Sequence, residues 1–277
     1  MRGCKASFEM RPREDRFSAA FADAAAERRT GLILYITAGY PSLAATRELV
    51  PALVEAGADA IELGVPFSDP LADGATIQAA GFHALKQGVT LAACLRLVAD
   101  LRPHLPRTPL ALMGYYNPVL RYGLAEFAQA GAQAGLDGII VPDLPPEESG
   151  PLAAECAPRG IAIIPLVAPT STDARVEKAC KNAAGFIYCV SVAGVTGARD
   201  VVAPGVFDLL ERVRRHTSLP RAVGFGISRR QHVEAIGHRA EAVVVGSALV
   251  RVIQEAPEGR MVEQARRFVA GLTGRVQ

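Results

Sequence analysis

The stretch ELGVPFSDPLADG, residues 62–74, carries a short apolar run, Ala58–Leu63, into a loop rich in proline and glycine. This loop is longer than a plain strand-to-helix connection requires, and long loops with defined turns more often carry function. The stretch 62–74 contains three carboxylates: Glu62 at the end of the apolar run, and Asp69 and Asp73 in the loop. The stretch therefore indicates a strand that ends at the mouth of a barrel, with Glu62 and Asp73 as a candidate acid/base pair.

On both sides of this stretch, short apolar runs alternate with alanine-rich segments of helical spacing. Continuous apolar runs are typical of strands that are buried on both faces. The eight strand-like runs are Leu32–Thr37, Ala60–Leu63, Pro109–Met113, Gly138–Val141, Ile161–Val167, Phe186–Val190, Arg221–Val223 and Ala242–Val245. The helical segments between them are Ala44–Ala56, Ala75–Gln87, Leu124–Ala134, Glu147–Cys156, Thr172–Lys181, Val206–Arg215 and Arg229–Ile236.

The alternation predicts the α/β class and a single-domain (β/α)8 TIM barrel, with a doubly wound open sheet as the alternative. Two extra helices are expected, Phe17–Arg28 near the N-terminus and the inserted Leu91–Leu101. The barrel domain is expected over residues 16–277, after an extension at 1–15 to which we assign no role. In such a barrel, function lies where the strands end. The residues to weigh there are Thr37, Glu62, Asp73, Tyr115, Asn117, Asp143 and Tyr188.

Composition and charge limit the function classes. The 277 residues carry a formal net charge of +2 and are 50% hydrophobic, which allows a large core and argues against a partner recognised by bulk charge, such as nucleic acid or a membrane surface. The five cysteines are scattered, without metal-ligand spacing. No apolar run approaches the roughly 20 residues that span a bilayer, and charged residues interrupt any signal-like N-terminus. We expect a cytoplasmic enzyme.

Strand alternation places Glu62 and Ala60 on one face of their strand, and Ile61 and Leu63 on the other. If Glu62 faces the barrel lumen, desolvation raises its pKa and suits it to proton transfer near neutral pH. The alternative is an outward Glu62 that pairs with an arginine. For Asp73 the alternative is a helix N-cap, and Asp69 before a proline could equally be a turn residue.

Glycine-rich turns follow the last two predicted strands. They read GFGIS at 224–228 and GSAL at 246–249. Glycines allow backbone N–H groups to approach an anion, and these two loops are where TIM barrels commonly bind phosphate. Plain tight turns are the alternative. The pattern is neither a dinucleotide fingerprint nor a P-loop.

A small-residue segment, YCVSVAGVTGAR at 188–199, leaves the sixth predicted strand and could close over a ligand as a lid, with a mobile connector as the alternative. The four lysines and five histidines fall in the N-terminal tail or in helical segments. No lysine is therefore placed for a Schiff base, and no histidine spacing suits a zinc site. Carboxylate acid/base chemistry on a phosphorylated small molecule remains.

From about Arg16 to its C-terminal helix, the sequence resembles the tryptophan synthase alpha subunit family. The shared motifs are ELGVPFSDPLADG at 62–74, PDLP at 142–145, GVTG at 194–197, GFGIS at 224–228 and VVVGSA at 243–248. The resemblance implies retro-aldol cleavage of indole-3-glycerol phosphate to indole and glyceraldehyde 3-phosphate, with no metal and no organic cofactor.

The same resemblance implies roles for individual residues. Glu62 would be the general acid/base that protonates the indole ring carbon, and Asp73 would accept a hydrogen bond from the indole N–H. Tyr188 would be the active-site tyrosine, and Thr196 the lid threonine that closes toward Asp73. The implied phosphate contacts are Gly197, Gly226, Gly246 and Ser247.

A partner is also implied by the resemblance: the pyridoxal-phosphate-dependent beta subunit, in an αββα complex. The loop at Pro66–Pro70 and the region of Asn117–Pro118 would face it. Some family members have an arginine in the lid where this chain has Val192, so we expect the lid's hydrogen bonds to differ here. The alternatives are a stand-alone lyase that releases free indole, and an inactive phosphate-binding partner that only activates a beta subunit.

Overall fold

A computed structural model describes residues 15–191, 205–224 and 226–274. Within them, nine parallel strands form one sheet in the order β5-β4-β3-β2-β1-β9-β8-β7-β6. The strands are β1 Gly31–Thr37, β2 Ala60–Gly64, β3 Leu110–Met113, β4 Gly138–Ile140, β5 Ala162–Ile164, β6 Leu166–Val167, β7 Ile187–Val190, β8 Arg221–Gly224 and β9 Ala242–Val245. The sheet curls into a nearly closed barrel surrounded by helices, so the predicted fold is confirmed and the open sheet was the wrong alternative.

The ninth strand arises from a single proline. The run Ile161–Val167, predicted as one strand, is divided at Pro165, which has no N–H to donate to a sheet ladder. The half before the proline pairs with β4, and the half after it pairs with β7. The two halves are the two edges of the sheet and are contiguous in the chain, so this segment closes the barrel.

Strand alternation produces two apolar layers. One set of side chains, including Leu34, Ile61 and Leu63, packs outward against the helices. The other set points into the lumen and contains many small residues, which suits the narrow interior of a barrel. Its strand members are Ile33, Tyr35, Ala60, Ala111, Met113, Ile140, Ala162, Ile164, Tyr188, Ala222, Ala242 and Val244.

The helices include both predicted extra ones, Arg16–Ala26 and Leu91–Leu101. The full set is α1 Arg16–Ala26, α2 Leu43–Glu55, α3 Ala75–Lys86, α4 Leu91–Leu101, α5 Tyr116–Tyr122, α6 Leu124–Ala134, α7 Gly150–Cys156, α8 Asp173–Lys181, α9 Gly205–His216, α10 Arg230–Ile236, α11 Ser247–Glu255 and α12 Met261–Thr273, with a 3-10 turn at Ala157–Arg159. None of these described helices is long and apolar enough to cross a membrane.

Three helix positions differ from expectation, two of them for local reasons. The helix predicted from Glu147 begins at Gly150, because Pro151 lacks an N–H and fits only the first turn. The helix α5 was not predicted, since its seven residues include Pro118 and are too few to show a helical period. The helix α11, directly after the glycine turn at Gly246, was not predicted either.

At the amino-terminal end of the strands, helix α1 closes the barrel. Asp15 caps this helix by accepting hydrogen bonds from the N–H groups of Phe17 and Ser18. The rings of Phe17 and Phe21 are buried and lie 5.3 and 5.9 Å from the ring of Phe186. The candidate site lies at the opposite, carboxyl-terminal end of the strands.

Candidate active site

Glu62 lies inside the barrel. It is the third residue of β2, paired in register with Tyr35 on β1 and Ala111 on β3, and only 1% of its surface is exposed. Neither carboxyl oxygen has a hydrogen-bond partner among the described residues. The outward, arginine-paired alternative is therefore wrong.

Burial without a partner changes the acidity of Glu62. Desolvation, and secondarily the charge of Asp73, raise its pKa from an ordinary 4.5 to about 8. At neutral pH the side chain is therefore mostly protonated and can donate a proton. A buried carboxyl group left unpaired in this way is costly for stability and common at functional sites.

Asp73 lies across the same opening, in the loop that follows β2. Burial raises the pKa of Asp73 to about 6, and a hydrogen bond from the Tyr115 hydroxyl partly offsets this by lowering that pKa. The loop around it is fixed, because the Gln78 side-chain amide donates to the Asp73 carbonyl oxygen at 2.9 Å. Gly74, and not Asp73, is the N-cap of α3, so the capping alternative is wrong. At neutral pH Asp73 is mostly ionised beside a neutral Glu62.

The third carboxylate of the loop, Asp69, takes no part in this pair. It is exposed, accepts a hydrogen bond from the Ser68 hydroxyl, and lies away from the cavity that contains Glu62 and Asp73. Its interpretation as a turn residue fits this position.

Tyr115 supports Asp73 in a way that the sequence did not reveal. Its hydroxyl accepts a hydrogen bond from the Ala72 backbone N–H at 2.9 Å, and its ring stacks on Phe67 with 5.0 Å between ring centres. The sequence placed Tyr115 at a strand end but gave it no role. The signal would have been an aromatic hydroxyl at the end of the strand next to β2.

A cavity of about 740 Å³ opens at the carboxyl ends of the strands, within the usual size range of small-molecule sites. It brings together most of the predicted site residues, with Arg251, to which the sequence gave no role. The polar and glycine residues in its lining are Tyr35, Glu62, Asp73, Gly74, Thr76, Tyr188, Gly226, Gly246, Ser247 and Arg251.

Two glycines at and beside this cavity, Gly226 and Gly224, occupy positions that residues with a side chain rarely fit. Gly226 has a left-handed backbone, φ 82°, which residues with a side chain rarely adopt. A Cβ atom at Gly224 would lie 2.3 Å from the Tyr188 hydroxyl, so only glycine allows that tyrosine to reach the lumen. Gly246 and Ser247 form the beginning of α11. Gly226, Gly246 and Ser247 thus form part of the lining of the cavity that contains Glu62.

The remaining predicted residues divide into three groups. Tyr188 is buried in β7, and burial, followed by the charge of Glu62, raises its pKa well above the usual range. Asn117 and Asp143 lie outside the cavity, and Asp143 accepts a hydrogen bond from the Tyr116 N–H at 2.9 Å. The lid residues Val192, Thr196 and Gly197 lie outside the described residues.

Comparison with known proteins identifies the family. A family model described as tryptophan synthase alpha chain matches residues 21–273. A tryptophan synthase alpha chain of Roseiflexus sp. is 51% identical over 259 residues, covering 94% of this chain and 99% of the relative. This chain belongs to the tryptophan synthase alpha chain family. It is a lyase subunit that acts in tryptophan biosynthesis, and the family implies partnership with a beta subunit.

Solved structures agree with the fold. A tryptophan synthase of Mycobacterium tuberculosis is similar with a TM-score of 0.85 at 37% identity, covering 94% of this chain and 97% of that one. The alpha chain from Legionella pneumophila has a TM-score of 0.84 at 33% identity, covering 94% and 96%. A Saccharomyces cerevisiae protein named tryptophan synthase is 44% identical over 91% of this chain, which spans 36% of that longer protein.

Proposed function

We propose that Glu62 and Asp73 cleave indole-3-glycerol phosphate to indole and glyceraldehyde 3-phosphate. The observation that carries this proposal is the buried Glu62 carboxyl group, both oxygens without a partner among the described residues, in one cavity with Asp73. A neutral acid and an ionised carboxylate side by side are the groups that this retro-aldol reaction needs. Membership of the alpha chain family supports the choice of substrate.

In the proposed reaction, Glu62 first donates a proton to the substrate and later takes one back. Its neutral carboxyl group donates a proton to the indole ring carbon that carries the glycerol chain, which leaves positive charge on the ring. The Asp73 carboxylate accepts a hydrogen bond from the indole N–H and stabilises that charge. The ionised Glu62 then takes the proton of the neighbouring hydroxyl group as the carbon–carbon bond breaks. Indole leaves, and Glu62 is protonated again.

We assign the phosphate end of the substrate to the opposite wall. Gly226, Gly246 and Ser247 would offer backbone N–H groups and a hydroxyl group there, with the favourable dipole at the start of α11. Tyr188 would pack beside the ring from β7. Thr196 and Gly197 would complete the contacts from the lid.

The substitution Glu62→Gln tests the catalytic role in the isolated chain. It removes the acidic carboxyl proton but keeps the shape of the side chain, so kcat should fall by roughly 10²- to 10⁴-fold, while binding of glyceraldehyde 3-phosphate stays within about threefold. Asp69→Asn is the matched control, because Asp69 is a carboxylate of the same loop outside the cavity, and its kcat should be unchanged. An unaltered kcat in Glu62→Gln would remove Glu62 from the mechanism.

We further propose an αββα tetramer with the beta subunit at the open end of the barrel. Leu71, in the loop after β2, is 95% exposed and Leu120, in α5 after β3, is 53% exposed, which are unusual positions for large apolar side chains unless a partner covers them. Both lie close in sequence to the expected contact regions Pro66–Pro70 and Asn117–Pro118. Light scattering of the mixed subunits should give the mass of two alpha and two beta chains. Free alpha chain beside a beta dimer would contradict this.

Two further proposals concern the location of the protein in the cell and the extent of its catalytic domain. We propose a cytoplasmic location, supported by four buried free cysteines, Cys94, Cys156, Cys180 and Cys189. We also propose that residues 16–277 are the catalytic domain, because Asp15 caps the first helix of the barrel. Removing residues 1–14 should then leave kcat/KM within about twofold, whereas loss of activity would place a function in the extension.

A further inference from the structure

Arg251 lines the cavity together with Glu62 and Asp73. It is exposed, and no residue in the described parts of the chain hydrogen-bonds to its guanidinium group or pairs with its charge. Other arginines near the barrel are bound: Arg29 contacts both Asp59 oxygens, and Arg221 contacts both Glu241 oxygens. Arg251 therefore presents an unneutralised positive charge at the mouth of the site.

Helix geometry directs this charge toward the proposed phosphate position. Arg251 follows Ser247 by four residues in α11, so the two side chains share one face of the helix. Side chains on a helix lean toward its N-terminus, which brings the guanidinium group back over the first turn. There the N–H groups of Ser247 and Ala248 precede the first intrahelical bond, which runs from Val250 N–H to the Gly246 carbonyl at 3.0 Å.

A second feature of the cavity, independent of the helix start, points to a ligand here. The Glu62 carboxyl group, 1% exposed and without a hydrogen-bond partner among the described residues, faces the same cavity from its floor. One wall thus carries positive charge and free N–H groups, while the floor carries an unsatisfied acid. The cavity suits a molecule with an anionic end and a reactive, apolar end.

We propose that Arg251 binds the phosphate group of the substrate and is the residue that makes the enzyme prefer a phosphorylated indole glycerol over the unphosphorylated one. This inference rests on the proposed function. Backbone N–H groups supply only partial charges, whereas a guanidinium group supplies a full charge and two parallel donors, which match a phosphate dianion. The phosphate is remote from the reacting carbon, so Arg251 stabilises bound substrate and transition state alike and acts on KM more than on kcat.

The test compares two substrates with Arg251→Ala and Arg251→Lys in the full chain. For indole-3-glycerol phosphate, Arg251→Ala should raise KM roughly ten- to a hundredfold with kcat within about threefold, and Arg251→Lys should recover part of the loss. For indole-3-glycerol, which lacks the phosphate, kcat/KM should stay within about twofold. Inhibition by inorganic phosphate should weaken by a factor similar to that of KM. Arg215→Ala, an equal change of charge on the exposed face of α9, should alter none of these values.

An unchanged KM for indole-3-glycerol phosphate in Arg251→Ala would overturn the inference, and so would an equal loss with both substrates. The wild-type chain separates this failure from failure of the proposed function. Wild-type protein that does not cleave indole-3-glycerol phosphate contradicts the function itself. Active wild-type protein with an insensitive Arg251 contradicts only the role of Arg251.

Discussion

Two buried carboxyl groups, one toward each end of the barrel, differ in whether their oxygens have hydrogen-bond partners. Asp137, before β4 at the amino-terminal end, is 6% exposed, and its oxygens are held by Arg16 at 2.6 Å, Arg102 at 2.6 Å and the Leu110 N–H at 2.9 Å. Glu62 is 1% exposed and has no such partner among the described residues. Asp137 has its hydrogen bonds satisfied by residues of the closed end, whereas the Glu62 oxygens are left without partners in the cavity where we propose that the substrate binds. Burial alone therefore does not mark a functional acid, but burial without a partner does.

The largest expected effect concerns the satisfied group. Asp137→Ala leaves Arg16 and Arg102 facing each other without the carboxylate between them, so the free energy of unfolding should fall by about 3–5 kcal/mol. Urea unfolding measures this change. Asp100→Ala, which breaks an exposed pair with Arg47, is the control and should change stability by less than about 1 kcal/mol. Equal effects would mean that the buried network adds nothing.

The opposite sign is expected at Glu62. Its pKa is raised from 4.5 to about 8 by folding, so the folded state holds a proton that the unfolded chain releases, and the resulting penalty grows from about pH 4.5 and is complete above about pH 8. The free energy of unfolding of Glu62→Gln, measured relative to wild type, should therefore rise by a few kcal/mol between pH 4 and pH 8. The buried amide has its own desolvation cost, but that cost is the same at every pH. A stability difference that does not change with pH would contradict the raised pKa.

A smaller effect is expected in the pH dependence of the reaction. The proposed mechanism requires Asp73 ionised and Glu62 protonated, so kcat/KM should rise through about pH 6 and fall through about pH 8, tenfold per pH unit beyond each limit. Fixed-time assays of indole release across pH 5 to 10 would measure this profile. A rate that keeps rising above pH 8 would show that Glu62 acts in its ionised form.

The smallest expected effect is at Tyr115. Removing its hydroxyl group in Tyr115→Phe takes away an interaction that lowers the pKa of Asp73, so the acidic limit of the same profile should move to higher pH by less than about one unit. The basic limit, set by Glu62, should stay in place. Tyr122→Phe, in a tyrosine outside the cavity, is the control. A shift of both limits together would point to a general loss of structure.

Much of this arrangement was readable in the sequence because it is local. Alternation along β2 is enough to place Glu62 opposite Ile61 and Leu63, and the glycine turns at Gly226 and Gly246 follow their strands directly. What could not be read depends on contacts between distant segments. The Ala72–Tyr115 hydrogen bond joins residues 43 apart, and Arg251 lines the cavity only because α11 begins at Ser247. The strand break at Pro165 was missed, although the proline stands in the sequence, and only the sheet shows which edge each half joins.

The most direct test is a titration of Glu62 itself. Carboxyl-carbon NMR of the chain labelled in its glutamate side chains, with the Glu62 signal assigned by its loss in Glu62→Gln, follows the protonation of this one group. A midpoint near pH 8 is expected for a carboxyl group that is buried without a partner. A midpoint near pH 4.5 would mean that the group is solvated or paired in solution, and Glu62 could not then be the proton donor at neutral pH.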